Sequence, residues 1–155
     1  MCSTTRCPFG RSEHEVTSDS RPSPNQLSLT VLAAPLALCR FAPADAIPEW
    51  TASARTFLTI SRTPTELSIV ADEVAIPKSV SAQRGYRAVR VEGPLPLTLI
   101  GVFASLASPL AAASIAIFPI ATYDTDYILI HEDVLSRAVA VLEGAGYRVV
   151  HEWLP

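Results

Sequence analysis

The feature that most constrains this chain is a run from Gly93 to Tyr123 that contains no charged side chain. A run of that length could cross a bilayer as a single helix. Prolines divide it, however, and Pro109 and Pro119 would each interrupt a spanning helix and leave backbone groups that lipid cannot satisfy. The run therefore predicts a buried helix followed by a buried strand, with Pro109 at the end of the helix and no membrane span.

A second helix is predicted by the clearest periodic pattern in the sequence. Its apolar residues recur at helical spacing and share one face: Val134, Leu135, Ala138, Val141 and Leu142. Acidic residues at 132 and 133 suit the positive end of the helix dipole. Glycines at 144 and 146 predict its end, because glycine adopts left-handed backbone conformations at little cost.

The order of predicted elements from residue 85 onward is strand, helix, strand, strand, helix, strand. Their predicted ranges are 85–93, 97–112, 114–121, 125–130, the second helix, and 147–153. This β-α-β-β-α-β order is the ferredoxin-like unit. The preceding residues predict a degenerate version: extended structure over 27–41 with a break near Ala34-Pro35, a helical turn begun by Pro48, and a hairpin formed by 56–63 and 66–73.

The predicted fold class is therefore α+β, with two tandem ferredoxin-like subdomains whose antiparallel sheets carry their helices on one face. The predicted domain ranges are a disordered tail at 1–26, a first subdomain at 27–84 and a second at 85–153. The tail lacks the apolar core of a secretory signal, and the sparse cysteines favour a reducing, cytoplasmic location. Cys2 and Cys7 alone make no zinc site, so no metal is predicted.

Charge and motif content narrow the function. The formal net charge is −3 and no Lys/Arg cluster occurs, which argues against nucleic-acid binding. No nucleophile elbow, zinc-helix, phosphate-loop or dinucleotide motif is present, so the protein is predicted not to be an enzyme, and no catalytic residue or cofactor is assigned. A set of Ser61, His131 and Asp126 could act as a triad only if the fold brought the three together.

Three segments carry a family resemblance: "RTPTELSIV", "RVEGPL" followed by "ASLASPLAAASIAIF", and "TYDTDYILI". Together they resemble ACT-domain proteins of the aspartate-kinase regulatory type. The chain is most similar to the small stand-alone proteins with two ACT domains that are related to the cytosolic arginine sensors. The resemblance covers about residues 27 to 150 and leaves out the tail.

The resemblance implies a non-catalytic sensor that binds a free amino acid where two ACT units meet. It implies a cradle loop, a strand whose backbone holds the amino acid, and an acidic residue on the next strand. In this sequence the resemblance places the loop at Gly93, Pro94, Leu95, Pro96, Leu97, Thr98, Leu99 and Ile100. It places the strand contacts at Ile115, Ala116 and Ile117. The acidic residue is Asp126, with Thr122, Tyr123 and Asp124 beside it.

The cradle loop departs from the arginine-sensing relatives because it contains no acidic residue. A neutral or aromatic amino acid is therefore expected in preference to arginine. The resemblance also implies a homodimer with loop 93–101 near its interface. Three alternatives stay open: Asp124 and Asp126 could be ordinary turn residues, the chain could be a protein-interaction module without a metabolite, or it could be a small enzyme with an unrecognised site.

Overall fold

The computed structural model describes residues 27–152. The predicted tail at 1–26 and the last residue of the predicted final strand lie outside this part. Within it, the helices are all too short or too polar to cross a bilayer.

The described chain contains eight strands and two α-helices. They are β1 (Ser28–Val31), β2 (Leu36–Phe41), β3 (Leu58–Arg62), β4 (Leu67–Asp72), β5 (Gln83–Val91), α1 (Val102–Ala112), β6 (Phe118–Ala121), β7 (Asp126–His131), α2 (Glu132–Gly144) and β8 (Arg148–His151). Short 3₁₀ helices cover Glu49–Ser53 and Glu73–Ala75. The predicted hairpin, the helical turn after Pro48 and the second helix are confirmed.

All eight strands belong to one sheet built around β5. One edge of β5 pairs with β7, and the other pairs with β2 near Tyr86 and with β1 over Val89–Val91. Strand β4 joins β2 to β3, while β6 joins the sheet only through β7. The β5-α1-β6-β7-α2-β8 segment is the predicted ferredoxin-like unit, which confirms the α+β fold class.

Strand β1 lies in the sheet of the second unit, although the predicted domain boundary places its residues in the first. It pairs antiparallel with β5 and parallel with β8, and so lies between them. Leu29 and Val31 are buried beside Val89 and Val91 under the helices, which is the physical reason for this placement. The division of the chain into two domains near residue 84 stays a prediction.

Three apolar clusters organise the layers. The helix-side cluster lies between α1, α2 and the sheet, and includes Leu106, Leu110, Ile128 and Leu142. A middle cluster joins the other face of β5 and β7, through Ala88 and Leu129, to the β2–β4 part. The remaining cluster covers the outer face of β2 and β4.

The charge-free run folds as a helix followed by a strand, in the predicted order, but both elements are shorter than predicted. The strand was also predicted to be buried, and it is mostly exposed because it lies at an edge of the sheet. Helix α1 begins at Val102 instead of residue 97, because Gly101 (φ 84°) turns the backbone immediately before it. Pro109 lies in the last turn of α1. Strand β6 begins at Phe118 instead of residue 114: Ser114 has φ 56°, and the Ile115 N–H donates to the Leu110 carbonyl at 2.9 Å. Pro119 is tolerated in β6 because β6 is an edge strand in the described sheet.

Candidate functional site

The loop after β5 and the β6–β7 turn enclose a surface pocket of about 160 Å³, called here the loop–turn pocket. It is lined by Leu95, Pro96, Leu97, Leu99, Val102, Ala121, Thr122, Tyr123, Asp124, Thr125 and Asp126. Two predicted parts of the site, the loop and the acidic turn, are therefore adjacent in space.

Hydrogen bonds and one close approach hold the loop against the turn. The Leu95 N–H donates to the Asp124 carbonyl at 2.7 Å. A Cβ at Gly93 would lie 2.8 Å from the same carbonyl, so only glycine fits there without a shift of the backbone. The Thr125 hydroxyl donates to the Val91 carbonyl, which ties the turn to the end of β5. The pocket therefore has a backbone frame that is fixed on both sides.

Asp126 is the partly buried acid of this pocket. It begins β7 opposite Ala121, and burial raises the pKa of its carboxyl group. Within residues 27–152 its side chain makes no hydrogen bond and no ion pair. A partly buried carboxylate without a partner is stabilised when a cationic hydrogen-bond donor, such as an ammonium group, pairs with it.

Asp124 differs from Asp126 although only one residue separates them. Its side chain is exposed, and its backbone carbonyl, not its carboxylate, holds the loop. The turn itself is closed by Thr122, whose N–H and hydroxyl both donate to the Thr125 carbonyl, at 2.9 and 2.7 Å. The turn is therefore built without either carboxylate, which leaves the side chain of Asp126 available to the pocket.

The first turn of α1 supplies groups of the opposite polarity. Val102 lines the pocket and opens the helix, and Gly101 before it provides no side-chain cap. The first N–H groups of a helix have no partner within the helix and favour an anion. The pocket thus has Asp126 as an acceptor for an ammonium group and lies beside the end of α1 at which helices carry such donors.

The predicted strand contacts lie elsewhere. Ile115, Ala116 and Ile117 line a second pocket of about 420 Å³, together with Tyr86, Ser114, Phe118, His131 and Val134. Strand β6 runs between the two pockets, since Phe118 lines the second and Ala121 the first. Gly93, Pro94, Thr98 and Ile100 belong to the loop but do not line the loop–turn pocket.

Sequence reasoning missed three residues of the loop–turn pocket, namely Val102, Ala121 and Thr125. Thr125 stands between the two acids in the quoted turn, so its inclusion could have been predicted from its neighbours. Val102 and Ala121 carry no such signal, because their place depends on where α1 begins and where β6 ends.

The possible triad does not form. His131 and Asp126 lie at opposite ends of β7, and the rise of five residue steps along an extended strand separates their backbones by about 16 Å. The His131 Nδ1 atom instead lies 3.3 Å from Asp133, at the start of α2. No cluster of three or more metal-ligating side chains occurs in the part of the chain that the structure describes.

Family models and curated proteins match parts of the chain. The ACT domain model matches residues 81–144, and a second model, described as an N-terminal domain, matches residues 35–79. The human cytosolic arginine sensor for mTORC1 subunit 1 is 39% identical over 59 residues, which are 37% of this chain and 18% of the sensor. The bovine sensor gives the same values. The match thus spans less than a fifth of these curated relatives.

Solved structures match over most of the chain. A protein of Agobacterium tumefaciens is 30% identical, with a TM-score of 0.77 over 83% of this chain and 95% of its own. A Vibrio cholerae protein described as a possible transport protein is 18% identical, with a TM-score of 0.65 over 79% and 92% of the two chains. Aspartokinase α and β subunits share the fold at 16% identity, with a TM-score of 0.54 over 76% and 96%. The matching ACT model, the extent of the Agobacterium match and the ferredoxin-like unit agree. This chain therefore belongs to the ACT-domain proteins.

Proposed function

We propose that this protein is a non-catalytic regulatory sensor that binds a free amino acid in the loop–turn pocket. The observation that carries the proposal is Asp126, a partly buried carboxyl group that faces this pocket with no partner among residues 27–152. The α-ammonium group of an amino acid would pair with Asp126, and its α-carboxylate would accept hydrogen bonds from the first turn of α1. An ACT domain and an arginine-sensor relative are consistent with such a role.

The pocket favours a neutral or aromatic side chain. Leu95, Leu97, Leu99 and Val102 give it apolar walls, whereas its carboxylates are only Asp126 and the exposed Asp124. If Asp126 pairs with the α-ammonium group, no second buried acid remains for a guanidinium group. Arginine, the amino acid named for the curated relatives, is therefore the poorer ligand here.

We also propose a homodimer with loop 93–101 in its interface. Leu97 is 74% exposed and Tyr123 79% exposed, both on the rim of the loop–turn pocket, and Ile100 is 61% exposed nearby. Covering these apolar side chains with a second copy would remove them from water. The backbone of Ile115–Ile117 lies at the far end of β6, so it could reach this ligand only from a second copy.

A thermal-shift panel of the twenty amino acids tests the sensor proposal. A ligand that binds only the folded protein raises the melting temperature by mass action, by an amount that grows with its concentration. We expect a rise with one or more apolar or aromatic L-amino acids and a smaller one with arginine. The D-enantiomer of the best ligand is the control, since it presents the same groups in the wrong arrangement.

If no amino acid raises the melting temperature, even at millimolar concentration, the sensor proposal is wrong. In that case, the exposed apolar rim would favour the alternative of a protein-interaction module. Chemical conversion of the bound amino acid during prolonged incubation would instead favour the alternative of a small enzyme.

A further inference from the structure

Two edge strands of the sheet, β3 and β6, face each other across a slot. Along the path β3-β4-β2-β5-β7-β6 they are the two ends. The path curls, because Val70 of β4 belongs to the middle cluster and Ile120 of β6 packs against the same cluster. Residues of both edge strands line one cleft of about 440 Å³, called here the edge slot. Its volume is within the range of clefts that bind a ligand.

The outer edge of β3 carries backbone groups that have no partner in the part of the chain that the structure describes. Within that part, β3 pairs only with β4, and the ladder continues to the turn, where the Thr63 N–H donates to the Glu66 carbonyl at 2.9 Å. Backbone groups alternate in direction along an antiparallel strand, so those of Leu58, Ile60 and Arg62 point away from β4. Their N–H and C=O groups are therefore open to pairing with an extended chain.

The facing edge of β6 is protected against pairing, whereas the edge of β3 is not. The Thr122 N–H donates to the Thr125 carbonyl at 2.9 Å, so the same alternation directs the backbone groups of Pro119 and Ala121 away from β7. Proline has no N–H group, and on an edge strand it hinders pairing with another chain. Strand β3 contains no proline, and its register with β4 is regular throughout. Of the two edges, β3 is therefore the one that can accept a further strand.

The side chains along this edge favour apolar residues in the partner strand. Leu58 is 42% exposed and Ile60 is 37% exposed, and both lie on the outer face of β3 because alternate residues of a strand share a face. A neighbouring strand with apolar side chains at alternate positions would cover them. Its remaining side chains would enter the edge slot, which is lined by the hydroxyl-bearing Ser61 on one side and by the ring of Phe118 on the other.

Two arginines flank β3 and favour acidic residues in the partner strand. Arg55 precedes the strand and Arg62 ends it, and among the described residues their guanidinium groups donate only to backbone carbonyls and form no ion pair. The nearby carboxylates already have partners: Glu66 pairs with Arg40 at 2.9 Å, and Asp45 accepts a backbone N–H. The charge that remains without a counter-ion beside β3 is therefore positive, and acidic groups would complement it.

We propose that the edge of β3 binds an extended acidic segment of another protein, which adds a strand to the sheet beside the edge slot. Hydrogen bonds to the backbones of Leu58, Ile60 and Arg62 would hold the main chain of the segment, while its apolar side chains and acidic ends would select it. No residue of β3 lines the loop–turn pocket. The inference therefore goes beyond the sensor proposal and does not rest on it.

Fluorescence anisotropy of a labelled synthetic peptide, titrated with the full chain, tests the inference. The acidic probe is a ten-residue peptide in which valine and threonine alternate between two glutamates at each end. The basic probe has lysines in place of the glutamates and is otherwise identical. We expect saturable binding of the acidic probe, at least ten-fold tighter than that of the basic probe. A protein that binds neither probe, or binds the basic one as tightly, would overturn the inference.

Ile60→Pro locates the binding at the edge of β3. It removes an N–H that points away from β4, at a position where an edge strand tolerates proline, so the fold should be retained. We expect the acidic probe to bind this variant at least ten-fold more weakly. Ile60→Val is the matched control, because it keeps both the N–H and a branched apolar side chain, and its affinity should stay within two-fold of the parent value. Parent-like affinity in Ile60→Pro would contradict the proposed pairing.

Arg55→Glu tests the charge preference without a change in the backbone of the edge. The Arg55 side chain is exposed, so its replacement should leave the fold intact. We expect the acidic probe to bind at least five-fold more weakly and the basic probe to bind more tightly than they bind the parent. Arg137→Glu makes the same change of charge at an exposed position on α2 and is the matched control. Equal effects of the two variants would overturn the inference.

Sedimentation velocity of the parent and of Ile60→Pro, both without probe, distinguishes another protein from a second copy of this chain. We expect the two to sediment alike, because the pairing of β3 is reserved for the acidic segment. If Ile60→Pro alone loses a dimer, β3 pairs with a second copy and the proposal is wrong. These measurements use no amino acid, so their outcome and that of the thermal-shift panel are independent.

Discussion

The two halves of the protein share one sheet but cover it in different ways. In the half from β5 onward, α1 and α2 pack on one face and bury Leu106, Leu110 and Leu142 almost completely. In the β2–β4 half, the outer face is covered by loops and by two short 3₁₀ helices, Glu49–Ser53 and Glu73–Ala75, of which the first contributes Trp50. Of the two predicted ferredoxin-like subdomains, the second therefore has a complete helical layer, whereas the first nearly lacks one.

A buried carboxylate partly replaces the missing helices in the β2–β4 half. Asp72 is only 4% exposed and accepts backbone hydrogen bonds from Arg55, Thr56 and Phe57, at 2.6, 2.8 and 3.0 Å. These bonds hold the segment before β3 against the end of β4. The comparison teaches that the half without α-helices supplements its apolar cluster with a few buried polar contacts, whereas the other half is covered by helices through apolar packing.

The halves also differ in what their surfaces could bind. The connection between β2 and β3 carries Asp45, Glu49 and Arg55, while the connection from β5 to β7 carries no charge between Glu92 and Asp124. The loop–turn pocket is lined by the second of these connections and by Asp126, the first residue of β7. We therefore propose that the first half gives structural support and that the second half binds the ligand.

The largest effect is expected from Asp72→Ala, which tests the polar half directly. It would leave three buried or partly buried N–H groups without their acceptor, at a cost of about 3–5 kcal/mol in the free energy of unfolding. Urea denaturation followed by circular dichroism measures this loss. Asp45→Ala is the control, because Asp45 accepts one exposed backbone hydrogen bond, from Ala42, and its removal should cost less than about 1 kcal/mol.

Leu106→Ala tests the helical half and is expected to cost about 3 kcal/mol, because Leu106 is 1% exposed and the small side chain leaves a cavity. Leu58→Ala in β3, where the parent side chain is 42% exposed, is the matched control and should cost less than about 1 kcal/mol. Equal losses in urea denaturation would contradict the difference in packing between the halves.

Gly93→Ala should affect the pocket more than the fold. The new Cβ would lie 2.8 Å from the Asp124 carbonyl, so the loop or the turn must shift, at a cost of about 1–2 kcal/mol. Gly144→Ala, where a Cβ meets nothing within 4 Å, is the control and should not destabilise. We expect only Gly93→Ala to reduce the thermal shift produced by the best amino acid. A full thermal shift with Gly93→Ala would show that the loop is not part of the site.

The smallest effect on stability is expected from Asp126→Asn without ligand. Burial raises the pKa of Asp126 in the folded protein, so its contribution to stability is fully present below the unfolded pKa and is lost as the pH rises through the folded value. The asparagine variant should therefore match or slightly exceed the parent at neutral pH, and lose this advantage in acid. Melting temperatures measured from pH 3 to 8 check the trend. A variant that is clearly less stable at pH 7 would indicate an ordinary turn role for Asp126.

Local patterns predicted the elements with strong periodicity. The apolar face of α2 was readable because Ala138 and Leu142 recur at helical spacing, and both are buried. The sequence pattern did not predict where α1 begins, because Leu95, Leu97 and Leu99 are as apolar as the helix although they lie in a loop. Only the left-handed conformation at Gly101 fixes the boundary.

The sequence patterns did not predict which strands pair with each other when they are far apart in the chain. Nothing in Ser28–Val31 indicates that β1 inserts between β5 and β8, because a short apolar strand fits any sheet edge. The loop and acidic turn of the site followed from the family resemblance, and their contact depends on the Leu95–Asp124 hydrogen bond. The strand residues Ile115–Ile117 were placed in the same site because the sequence did not show that β6 separates the two pockets.

Calorimetric titration of Asp126→Asn, beside the parent and Asp124→Asn, tests most directly that the second half binds an amino acid through Asp126. The titrant is the amino acid with the largest thermal shift. Loss of a charge-assisted hydrogen bond should weaken binding to Asp126→Asn by roughly 1.5–3 kcal/mol, about one to two decades in affinity. Asp124→Asn should bind like the parent, because the Asp124 side chain is exposed and its backbone carbonyl is retained. Parent-like affinity in Asp126→Asn would contradict the account.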